Sequence, residues 1–114
     1  MIKFFLFLIL FFSSFFSVAG WSQKMGLKEV YFEGLNNDQK MVVVFDSSFH
    51  DCGWNTTVNL NKSLLGENVF NTYASVILGA WHTNTEIAIS VNTSSRSNKC
   101  DGDRAKGIAI KLAK

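Results

Sequence analysis

His50, Asp51 and Cys52 stand side by side and form the densest run of reactive side chains in the sequence. A hydrolase needs a nucleophile, a base and an orienting group converging on one cleft. Neighbouring residues of an extended segment point to opposite sides, so His50 and Asp51 do not converge on one reacting atom. The other histidine, His82, falls at the end of an expected helix, where a charged imidazole meets the helix dipole favourably. Gly-x-Ser-x-Gly, His-Glu-x-x-His and glycine-rich phosphate loops are absent from the sequence. The expectation is two surface histidines and a protein that is not an enzyme. Metal chemistry is not expected either. Zinc needs three or four ligands at suitable spacing, and Asp101-Gly102-Asp103 reads as a plain turn, short of the acidic ligands of a calcium loop. No cofactor is implied.

Trp54 is the most informative single aromatic. It lies beside Gly53 and two residues past Cys52, in a polar stretch between expected strands. Its ring either covers the neighbouring structure or stacks on a sugar ring or a partner. The second candidate is the stretch from Thr93 to Arg104, rich in hydroxyl, amide and guanidinium donors, with Arg96 and Asn98 at its centre. Trp54, Arg96 and Asn98 are therefore the expected ligand contacts. The large aromatics Tyr73 and Trp81 fall on the stripe of the expected helix and read as core, and Trp21 is expected to be disordered.

The compartment follows from the first nineteen residues. Lys3 precedes an apolar run from Phe4 to Phe12, and Ser17-Val18-Ala19 forms a small-x-small end, the layout of a secretory signal peptide. The apolar stretch is broken by serines and falls short of the roughly 20 residues a spanning helix needs. Cleavage after Ala19 leaves residues 20–114 as one small domain with a charge near +1. That charge gives no electrostatic case for nucleic-acid binding. A secreted or periplasmic location is oxidising, so Cys52 and Cys100, the two cysteines of the chain, are expected to form a disulfide. Asn-x-Ser/Thr triplets begin at Asn55, Asn61 and Asn92 and matter only in a glycosylating pathway.

Six elements must position these residues. Residues 27–34 alternate and read as a half-exposed strand, and 40–46, with Met41-Val42-Val43-Val44-Phe45, as a strand buried on both faces. Together they form a hairpin. Thr56–Leu60 reads as a third strand. Residues 68–82 carry Phe70, Tyr73, Ala74, Ile77 and Trp81 at helical spacing, widened by Val69, Val76 and Ala80, with Asn68 as N-cap and Gly79 packed against a strand. Residues 86–92 alternate, with Ile87, Ile89 and Val91 on one face. Residues 107–113 alternate again after a long polar loop, 93–106. The order is β-β-β-α-β-β: mainly β with one helix, a five-stranded OB-like barrel or an open α+β sandwich.

In size, single disulfide and element order, residues 27–113 resemble the B subunits of bacterial AB5 toxins. The likeness rests on the strand run Met41–Asp46, the helix Asn68–His82 and the strand Ile87–Asn92. Those subunits form rings of five and bind cell-surface glycans, so the resemblance implies a glycan-binding homo-oligomer. It transfers no individual sugar-binding residue. The expected function is a secreted or periplasmic binding module without enzymatic activity, with glycan as the first ligand class. The alternative is a small secreted interaction or inhibitor protein that binds another protein.

Overall fold

The computed structural model describes residues 20–92 and 95–112. The expected signal, residues 1–19, lies outside them, as do Thr93 and Ser94 of the donor-rich loop and the last two residues. The chain runs through β1 (Leu27–Glu33), a 3-10 turn (Asn36–Asp38), β2 (Lys40–Phe45), β3 (Thr57–Asn61), α1 (Lys62–Leu65), α2 (Glu67–Thr83), β4 (Ile87–Val91), α3 (Arg96–Lys99), β5 (Cys100–Asp101) and β6 (Arg104–Leu112). The fold is mainly β with one main helix, as expected. The strand count is corrected from five to six, and two four-residue helices interrupt the expected order.

The strands form one curled, mixed sheet in the order β1-β2-β3-β6-β4, with β5 also on β6. β1, β2 and β3 pair antiparallel in succession, β3 pairs parallel with β6, and β6 pairs antiparallel with β4. Ahead of β1, the segment 20–25 lies along the other edge of β4. Met25 and Ile87 exchange backbone hydrogen bonds of 2.8 and 3.0 Å, Ser22 N–H donates to Ile89 O, and Val91 N–H donates to Gly20 O. The run 20–33 therefore touches both β4 and β2, switching partners at Gly26, and leaves β4 with no open edge along this stretch.

This pairing corrects the expectation for Trp21. It is bridged to Ser90 and its ring lies 4.5 Å from the Lys111 ammonium. It also explains why β4 is buried along its whole length rather than on one face. The small residues Ala88 and Ser90 are paired with Lys111, Ala109 and Trp21, so the Trp21–Lys111 contact spans their outward side.

Inside the curl, Met25, Met41, Val43, Phe45, Val58, Leu60, Ile87, Ile89 and Ala105 pack with Phe70, Ala74, Ile77 and Ala80 of α2. The buried stripe of α2 is narrower than expected. Trp81 is 44% exposed and Val69 is also exposed, because the helix fully buries only its 70/74/77/80 line, with Tyr73 partly buried against the same core. Gly79 faces open space, and the N-cap is Gly66 rather than Asn68. The helix ends at Asn84 in the left-handed conformation, with Thr85 N–H donating to Ala80 O. β6 begins at Arg104, ahead of its expected start at residue 107. Its first inward positions are Ala105 and Gly107, and a Cβ on Gly107 would lie 2.7 Å from Leu60 and 3.0 Å from Ile89 and Val58. The space is taken by the larger neighbours, so this strand end carries no large apolar side chain to announce it.

Candidate functional site

The polar stretch between β2 and β3 is organised by His50. Cys52 N–H donates to Nδ1 at 3.1 Å, and Nε2 lies 2.9 Å from the Thr57 carbonyl, which accepts from it. The ring meets Phe49 edge-on at 5.0 Å. Burial pushes the His50 pKa below its ordinary value, against the opposing pull of the Thr57 carbonyl and of Asp51. Rather than an exposed surface group, His50 is a half-buried strut between backbone groups. Asn55 tightens the same turn, its amide nitrogen, when oriented to donate, lying 3.0 Å from His50 O and 2.9 Å from Gly53 O.

This turn is joined to the far end of the chain. Cys52 and Cys100 form the disulfide, with Cα atoms 5.5 Å apart and Cys52 1% exposed. Asp51 and Lys99, the residues preceding each cysteine, form an ion pair beside it. Trp54 N–H donates to Asp103 O at 2.7 Å, and Trp54 O accepts from Thr57 N–H at 3.0 Å. Gly53 holds φ at +135°, and a Cβ there would lie 2.6 Å from the Asp103 carboxylate, so the residue before Trp54 has to be glycine for this approach.

The Trp54 backbone is thus fixed while its side chain is not enclosed: the residue is 55% exposed. The Arg104 guanidinium lies 5.2 Å from the ring centroid, within cation–π range. Arg104 is itself held by a two-pronged pair with Glu33, at 2.9 and 3.2 Å. That hydrogen bond keeps the Glu33 carboxyl below its usual range and raises Arg104.

Asn59, 1% exposed, connects this pair to a second one. Its Oδ1 accepts from Arg104 at 3.3 Å and its Nδ2 donates to Asp101 at 2.8 Å, and Asp101 pairs with Lys40 at 3.4 Å. Burial raises the Asp101 pKa, but the donors Asn59, Lys40 and Asn61 together bring it below the ordinary value. Glu33, Lys40 and Asn61 sit in one cross-strand row on the face turned away from the core. The result is a polar lattice of two cations and two anions, edged by an exposed indole.

Of the expected contacts, Trp54 and the disulfide lie together in this corner. Asn98 is exposed on α3, its backbone N–H donating to Ser95 Oγ at 3.3 Å, which caps that short helix. Arg96 opens α3, and its side chain lies outside the described residues. Asp101 and Arg104 belong to the expected 93–104 stretch, whereas Glu33, Lys40 and Asn59 were not expected in a site. The available signal was Asn59, an amide set between Val58 and Leu60 in a short strand. Such a position has to find polar partners. Among the described residues, no group of three or more His, Cys, Asp or Glu side chains is placed to hold a metal ion, and no helix is long and apolar enough to cross a membrane. No protein family, curated protein or solved structure matches the chain.

Proposed function

We propose that the protein is a secreted, non-enzymatic binding module of OB type whose ligand surface is the corner formed by Trp54, Arg104 and the 95–101 segment. The OB reading is supported by the parallel β3–β6 pair, by the helix between β3 and β4, and by the run 20–33 shared between β4 and β2. In that fold the face of the middle strands and the loop before the last strand form a common ligand wall. The observation that carries the reading is Trp54: an indole with a fixed backbone, an exposed ring and an arginine over it. A rigid aromatic face bordered by amides and paired charges suits a glycan, whose ring C–H groups stack and whose hydroxyls exchange hydrogen bonds. Absence of net charge in the lattice favours a neutral sugar.

The test is a glycan array followed by titration of the oxidised protein, watching the Trp54 indole N–H by NMR. Trp54→Ala should weaken binding by about tenfold or more, equivalent to roughly 1.4 kcal/mol. A blank array with correctly bridged protein sinks the glycan reading. A second reading, a surface for a protein partner, is favoured by the pairing of Trp with Arg, the residue types that dominate interface energetics. Light scattering distinguishes a homo-oligomeric ring from a monomer that acts on a different partner.

A further inference from the structure

Both ring nitrogens of His50 are committed to the backbone of the segment that carries Trp54. The Cys52 N–H is a donor and the Thr57 carbonyl an acceptor, so the arrangement requires the neutral ring with hydrogen on Nε2 alone. A second proton can go only to Nδ1, where it meets the Cys52 N–H donor to donor. The Thr57 bond survives that event and the Cys52 bond does not. Charged groups near the ring are Asp51, next in the chain, which favours its protonation, and Lys99 of α3, which opposes it. These two are paired with each other.

We propose that His50 is a proton-operated latch. Neutral, it holds the 49–55 segment closed between β2 and β3. Protonated, it releases that segment at Cys52, and the Cys52–Cys100 bridge keeps it tethered while the Trp54 platform is left held by its Asp103 and Thr57 backbone bonds alone. As regulation of ligand binding this rests on the function proposed above, with ligand held near neutrality and let go in acid. As a local opening it stands on the His50 geometry alone. Burial of the ring places the closed state's titration below that of a free imidazole, which separates the two states in proton affinity.

The experiment is amide hydrogen exchange by NMR on the full, disulfide-intact chain between pH 8 and pH 4.5, corrected for intrinsic exchange. Opening read at the Cys52 and Trp54 amides should rise as pH falls between the titration points of the open and closed states, by up to about tenfold per pH unit, the limit for linkage to one proton. His50→Gln should abolish the response, and His82→Gln should leave it intact. Protection at Cys52 that does not change with pH overturns the latch, as does a response that disappears in His82→Gln. Glycan affinity is measured in parallel at pH 7.5 and pH 5. An opening that depends on pH, with no glycan bound at either pH, rejects the binding function and leaves the latch standing.

Discussion

At the scale of single residues, chemistry here is decided by what each polar atom faces. His50 looks like a free base in the sequence, yet both nitrogens are used by backbone groups. Its role was illegible because its partners are main-chain atoms, which leave no trace in side-chain identity. Asn59 is the opposite case. An amide between two buried apolar residues signals a buried polar contact, and the structure supplies Asp101 and Arg104. Removing it leaves a carboxylate and a guanidinium each short of a partner. Asn59→Ala should therefore cost about 1–3 kcal/mol, measured as a fall in the urea midpoint at constant m-value. A change below about 0.5 kcal/mol, the range of a neutral surface substitution, would show that water replaces the amide without loss.

At the scale of elements, strong periodicity was readable and small residues were not. β2 and α2 appear close to their expected limits because Met41–Phe45 and the 70/74/77 line carry large apolar side chains. The start of β6 was hidden because Ala105 and Gly107 fill its inward positions. Trp81 and Val69 fit a helical stripe in sequence, but the stripe that meets the sheet is centred on Phe70, Tyr73, Ala74, Ile77 and Ala80, and they fall outside it. The connection between distant elements is the Cys52–Cys100 bridge, 48 residues apart in sequence. Replacing both cysteines by serine should lower stability by about 4 kcal/mol in the chain-entropy account. The Asp51–Lys99 pair beside it is exposed on the Asp51 side and cannot compensate, since such pairs contribute about 0–1 kcal/mol. Urea unfolding of the double variant checks this. An unchanged midpoint would mean that the other contacts already hold the two segments together in the unfolded ensemble.

At the scale of the whole molecule, the groups perturbed in the acid range act in one direction with pH. His50, Glu33 and Asp101 all titrate below their ordinary values in the fold. The unfolded chain therefore binds more protons than the native one across the acid range, and stability rises with pH. The contribution of His50 is complete above about pH 6.5, the unfolded imidazole value, and is lost as pH falls through its lower native value. Those of Glu33 and Asp101 are complete above about pH 4 and fade below it. Urea midpoints measured from pH 8 to pH 3 should show a plateau, then a decline in two stages. His50→Gln should remove the upper stage alone. A midpoint that stays flat from pH 8 to pH 4.5 would contradict the His50 assignment.

The contact between Trp21 and Lys111 has a consequence for how the chain can be re-cut. Both ends of the described chain lie beside β4, one on each side of it, Gly20 at its Val91 end and Leu112 at its Ile87 end, so they are separated by the length of one short strand. The hairpin turn at Asn36–Asp38 is exposed and contributes no buried residue. A circular permutant that joins residue 112 to residue 20 through a flexible linker long enough to run back along β4 and opens at this turn should keep the disulfide, the Trp54 corner and the fold. Its new termini would emerge at the β1–β2 tip, leaving the present ends free of any fusion partner.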